Sequence, residues 1–127
     1  MKIASIIARF LLGLIFLTFG LNGFFHFIPM PPPTGVAAQF FGALFTSHYL
    51  VVIFLLQIIP AVLLLINRYV PLALTLLGPI IVNILCFHIF IEPSGLPLAL
   101  VVTALWAVVY FNNRSAFAGL FQQRVQA

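Results

Sequence analysis

Four long runs of this sequence are apolar nearly all the way round a helix, and polar residues collect between the runs rather than alternating along them. The runs are Ile3 to Phe25, Tyr49 to Ile66, Val70 to Ile91 and Leu96 to Phe111. A helix on the surface of a water-soluble domain carries an apolar stripe and a polar face, and none of these runs does. About 20 residues cross the roughly 30 Å of hydrocarbon in a bilayer, and each run reaches or nearly reaches that length. The pattern predicts an all-α membrane protein. Its form is a single four-transmembrane-helix antiparallel bundle over residues 1–127, with helices at about 3–25, 49–66, 70–91 and 96–111.

The connections refine this outline. Between the first two runs lies IPMPPPTGVAAQFFGALFTSH, whose four prolines cannot donate to a helix ladder and so break the first helix. After them Thr34 stands where it can cap a short helix, and Val36, Phe40, Phe41, Leu44 and Phe45 recur at helical spacing. These residues predict a short interfacial helix over about 35–46, with a re-entrant loop as the competing reading. Asn67, Arg68 and Tyr69 join the second and third runs, and Glu92 to Gly95 join the third and fourth. Links this short permit only antiparallel neighbours. The tail Asn112 to Ala127, with FAGLF and then QQRVQA, predicts a short amphipathic end. MKIASIIARF opens with positive charge like a secretory signal, but Leu17 to Phe25 offers no small-x-small cleavage pattern, so this segment is expected to stay attached.

Composition agrees with the pattern. A chain that is 65% hydrophobic and 5% charged, with a mean hydropathy of +1.30, cannot cover a water-facing surface with polar groups. Its partner is the lipid bilayer. Charge then gives orientation. Lys2, Arg9, Arg68, Arg114 and Arg124 all fall on one side of a four-pass topology, which the positive-inside rule makes cytoplasmic, together with both termini. The basic balance is therefore a topology signal, and no nucleic-acid partner is inferred from it. A single cysteine excludes an internal disulfide.

Depth gives meaning to NILCFHIFIEP, Asn83 to Pro93, which holds an amide, the only cysteine, a histidine and the only acidic residue. Glu92 falls at the outer boundary and His88 about 6 Å beneath it, using the helical rise. His26 and His48 lie near the same level, with Asn22 a turn below His26 and with Gln57 and Asn83 deeper. Asn22, His26, His48, Gln57, Asn83, His88 and Glu92 thus form a candidate polar pocket. His88 and Glu92, four apart, share a helix face, a spacing that suits a metal, a proton relay, an ion pair or a helix ending in water. A metal site would need His26 or His48 to converge with them, and none is assigned. Asn83 and Gln57 are expected to bond across the interface of the second and third runs. Asn83 and His88 stand about 140° apart around the helix, so no straight polar stripe joins them. Thr18, Asn22 and His26 do form a stripe, with Gly13, Gly20 and Gly23 allowing close approach. Cys86 is expected to be a small buried packing residue.

Catalytic machinery is sparse. Ser47 and Ser94 lie near histidines in depth, but no Asp orients a base, and neither a nucleophile elbow nor a phosphate-binding glycine loop occurs. No catalytic residue is assigned. Fifteen phenylalanines supply surfaces for a quinone head group or a lipid.

The residues ARFLLGLIFLTFGLNGF, the Pro-rich loop and especially LLLINRYVPLALTLLGPIIVNILCFHIFIEPSGLP resemble the DoxX-like family of small four-helix membrane proteins over nearly the full length. The resemblance implies a compact four-helix bundle, at home in a bacterial inner membrane, and an association with membrane redox or thiosulfate–quinone systems. The place of Gln57 is often acidic in the similar subgroup, and the amide here departs from that pattern. Related eukaryotic branches look like assembly factors or cargo receptors. The expected function is a noncatalytic accessory or assembly subunit that packs against other membrane-protein subunits or a copy of itself. A subunit of a quinone-linked oxidoreductase with an outward-facing pocket is the alternative, and a small-solute carrier is a third reading.

Overall fold

A computed structural model describes residues 2–126. Five α-helices, and no strand among the described residues, follow one another: α1 (Lys2–Phe25), α2 (Gly35–Thr46), α3 (Tyr49–Leu65), α4 (Val70–Phe90) and α5 (Leu96–Asn112). Turns of 3-10 helix at Pro93–Gly95 and Arg114–Phe117 precede and follow α5. The short segment expected over 35–46 is α2, and Thr34 does occupy its N-cap position in extended conformation, but the hydroxyl makes no capping bond. The tail after α5 forms the 3-10 turn Arg114–Phe117 followed by further turns, with the Phe117 ring 5.2 Å from that of Tyr110.

Helix α1 and the α4 and α5 regions are each long and apolar enough to cross a membrane. Helix α3 has 17 residues and meets that test only together with α2, which is bent from it by 89°. The number of spans is therefore three, or four if the bent pair counts as one.

Close approach between α1 and α3 organises the packing. A methyl group added at Gly13 would lie 2.9 Å from Leu65, one at Gly20 would lie 2.7 Å from Ile58, and one at Gly23 would strike the Phe54 ring. Contacts that climb α1 therefore descend α3, and all three glycines face it, at positions where the sequence suggested a close approach without naming the helix that makes it. Arg9 adds a polar tie, donating from Nη1 to the Leu64 carbonyl in the last turn of α3, where the helix dipole favours a cation. Beyond Leu64 the chain turns through a Schellman closure, with Arg68 N–H donating to the Leu63 carbonyl and Asn67 N–H to that of Leu64. Asn67 takes the left-handed φ of 55° that this closure needs.

The other main helix contacts run from α3 to α4, from α4 to α5 and from α5 back to α1, with a smaller set between α2 and α3. Their shared core includes Leu12, Phe16, Leu64, Leu74, Leu77 and Val109. Trp106 on α5 donates its indole N–H to the Leu74 carbonyl of α4 at 3.0 Å. This bond falls just before Pro79, which cannot supply the helical donor for the Thr75 carbonyl and so loosens the ladder there. Trp106 also stacks on Tyr110, with ring planes 5° apart.

Gly20→Val should lower the midpoint of an SDS unfolding titration by the equivalent of about 1–3 kcal/mol through overpacking against Ile58. Gly42→Ala, at a helical position with nothing within 4 Å, should be neutral or stabilising by about 0.5–1 kcal/mol. Equal effects at the two sites would mean that α1 and α3 do not approach as described.

Candidate functional site

The polar residues at the end of the molecule that holds His26, His48 and Glu92 belong chiefly to helix termini. Asn22 is buried in the last turn of α1, with 8% of its surface exposed. Its Oδ1 accepts the Ile28 N–H at 2.7 Å, which anchors the chain leaving the helix. His26 is the residue at which α1 closes. It adopts φ 52° while its N–H donates to the Asn22 carbonyl at 2.8 Å. His48 performs the same conformational task between α2 and α3, with φ 64°. Histidine is one of the few non-glycine types enriched in this left-handed region, so a backbone role accounts for both positions. Both side chains are exposed.

His88 and Glu92 do meet, but through the backbone. His88 Nδ1 lies 2.9 Å from the Glu92 carbonyl oxygen, which fixes Nδ1 as the protonated nitrogen because a carbonyl can only accept. The Glu92 carboxylate instead accepts from Ser94 Oγ at 3.1 Å. The imidazole lies over Gly95, where a side chain would collide with the ring. Glu92 N–H and Ile91 N–H both donate to the Phe87 carbonyl, completing the end of α4. Of the four readings of this spacing, the helix ending matches the geometry. Among the described residues no group of three or more His, Cys, Asp or Glu is placed to hold a metal ion.

The deeper amides do not pair, contrary to expectation. Gln57 sits on the α3 face turned to α1, where its Cβ is 3.5 Å from the position of a methyl group added at Gly20. Asn83 is exposed on α4 and donates from Nδ2 to the Pro79 carbonyl of its own helix at 2.9 Å. Pro79 starts the turn below, and its carbonyl lies within reach of a side chain four residues on. Cys86 is likewise exposed rather than buried. With Asn83 it lines a shallow cleft of about 180 Å³, whose walls are Phe40 of α2 and Phe87, Phe90 and Ile91. Thr18 is half-buried on α1, and no hydrogen bond connects it to the Asn22–Ile28 anchor.

A second cleft, of about 320 Å³, opens at the opposite end between α4, α5 and the tail. Leu74, Gly78, Trp106, Tyr110 and Phe117 form its walls. Sequence reasoning passed over Trp106 and Arg9 as inter-helix ties. The signal for Arg9 was a cation set inside an apolar run two turns from the chain start, where a carbonyl at a neighbouring helix end is the natural acceptor.

Asn22→Leu should destabilise the protein by about 1–2 kcal/mol, because the Ile28 N–H loses its acceptor in a half-buried position. An unchanged SDS midpoint would show that Asn22 does not hold this loop. Gly95→Ala should cost about 1–3 kcal/mol by collision with His88. In a His88→Ala background most of that cost should vanish, whereas additive losses would separate the two residues.

Comparison with protein-family models, with curated proteins and with solved structures yields no match, so the roles of these residues rest on the sequence and the geometry.

Proposed function

We propose that this chain is a DoxX-like four-pass antiparallel bundle of a bacterial inner membrane, with both termini cytoplasmic. In this reading it serves as a noncatalytic accessory or assembly subunit of a larger membrane complex. The observation that carries the reading is the commitment of the outer polar residues to helix ends. Asn22 holds Ile28, His26 and His48 supply left-handed closures, and His88 binds the Glu92 carbonyl. The Asn22 and His88 side chains, held by backbone groups in this way, are poorly placed to share a substrate, and the backbone conformation accounts for His26 and His48.

The arrangement of elements supports the topology. Helix α2 at 89° to α3 suits a segment lying along the membrane surface while α3 crosses it. Arg9 beside the end of α3, and Trp106 beside the second turn of α4, bring the cation-bearing ends of α1, α3, α4 and α5 together. Large side chains such as Leu14, Val52, Val82 and Val101 face outward, as surfaces that pack laterally against lipid or other subunits must.

Two measurements test the proposal. In a Cys86→Ser background, a cysteine at Thr34 should react with an impermeant maleimide added to intact cells, and one at Ser115 should not. Reversed labelling would overturn the orientation. Purification in gentle detergent with mass spectrometry should recover membrane-protein partners or a second copy. A quinone that copurifies stoichiometrically, and is lost in His88→Phe, would replace the accessory role with the oxidoreductase reading.

A further inference from the structure

Asn83 presents an unfinished hydrogen-bonding group to the outside of the bundle. A primary amide has two N–H donors and a carbonyl with two lone pairs. Here one donor is committed to the Pro79 carbonyl, which leaves the second N–H and Oδ1 for an outside partner. Asn83 lies thirteen residues beyond Val70 and seven before Phe90. At about 1.5 Å per residue this is roughly 20 Å from one end of α4 and about 10 Å from the other. If α4 spans the bilayer as proposed above, the amide is inside the hydrocarbon, where water is absent and lipid tails offer no hydrogen bond. Such a group is satisfied by another helix.

We infer that the occupant is a second copy of this chain, joined across a two-fold axis by reciprocal Asn83 amide bonds. A two-fold interface is isologous, so a residue near the axis meets itself. The amide is one of the few side chains complementary to itself, since each copy brings both a donor and an acceptor at the same depth. An unrelated subunit would have to match that depth independently. Val82, Asn83, Cys86, Ile89 and Phe90 make one continuous outward face at three- and four-residue spacing. Phe90, 80% exposed, forms part of the wall of the shallow cleft next to Asn83, so this face carries an open apolar hollow beside the amide that a second copy of the same face can cover.

The inference rests on the membrane-spanning reading, and the test separates the two. The full chain carrying Cys86→Ser and Ser115→Cys is labelled with donor or acceptor dyes and reconstituted in phosphatidylcholine vesicles over a range of lipid-to-protein ratios. Energy transfer should saturate as for a dimer, and adding Asn83→Leu should weaken association about tenfold, the effect of a typical intramembrane polar contact. Asn83→Leu removes a polar group from a lipid-facing position, so the monomer should keep its helicity by circular dichroism. Independently, the native Cys86 should be captured as a dimer by a short bis-maleimide, and a cysteine at Val101 on α5 in a Cys86→Ser background should not. Energy transfer indifferent to Asn83→Leu, equal capture at both positions, or a monomer at every ratio would overturn the dimer. A partner of different mass captured by Cys86 in cells, with the pure chain monomeric, would assign this face to another protein. Release of the chain from membranes by alkaline carbonate would instead overturn the spanning reading itself.

Discussion

The rest of the structure depends on the close approach of α1 to α3. Inside lipid there is no general hydrophobic force between helices, because hydrocarbon is as apolar as leucine, so association relies on tight packing and polar ties. Gly13, Gly20 and Gly23 remove side chains where Leu65, Ile58 and Phe54 enter. Arg9 then holds the end of α3 through the Leu64 carbonyl, adding a charge-assisted bond that lipid cannot replace. Once α3 ends beside the start of α1, the Schellman closure at Asn67 sends the chain back as α4. Helix α5, tied to α4 by Trp106, completes the ring of contacts by meeting α1.

Helix termination is the second constraint, and it explains the concentration of polar residues that makes the end holding His26, His48 and Glu92 look like a site. Every helix end leaves carbonyl and N–H groups without helical partners, and near a membrane boundary water satisfies them only in part. Asn22 supplies an acceptor for the Ile28 N–H, and His26 and His48 supply backbone conformations that most residue types avoid. His88 reaches one turn on to the Glu92 carbonyl and requires Gly95 beneath its ring. A residue type associated with catalysis thus recurs at three positions for local conformational and hydrogen-bonding reasons.

Asn83 departs from this scheme. Its amide is neither at a terminus nor in the core, and its one bond returns to its own helix. An exposed amide is costly in hydrocarbon where no partner exists, so in the membrane-spanning reading proposed above its outward position bears more directly on assembly than the histidines do. The aromatic contacts of Phe40 and Phe41 with Phe87 bring α2 beside the C-terminal part of α4 and build one wall of the cleft around Asn83.

The apolar runs by themselves determined the helices and their approximate ends, because a lipid solvent demands long uninterrupted segments with prolines and polar residues at the boundaries. The α2 segment and the packing role of the three α1 glycines were legible for equally local reasons: a helical spacing of large residues, and the absence of a Cβ. The uniform hydrophobicity of the same runs concealed how each helix is rotated. A soluble helix announces its buried side through its polar face, but Val70–Phe90 is apolar on every side, so nothing periodic told whether Asn83 looked toward α3 or away. Only the tertiary contacts decided that Gln57 faces Gly20, that Asn83 and Cys86 face outward, and that Arg9 meets the Leu64 carbonyl. Rotation about a helix axis is set by the shapes that interlock with neighbouring helices, and those shapes exist only once the helices have met.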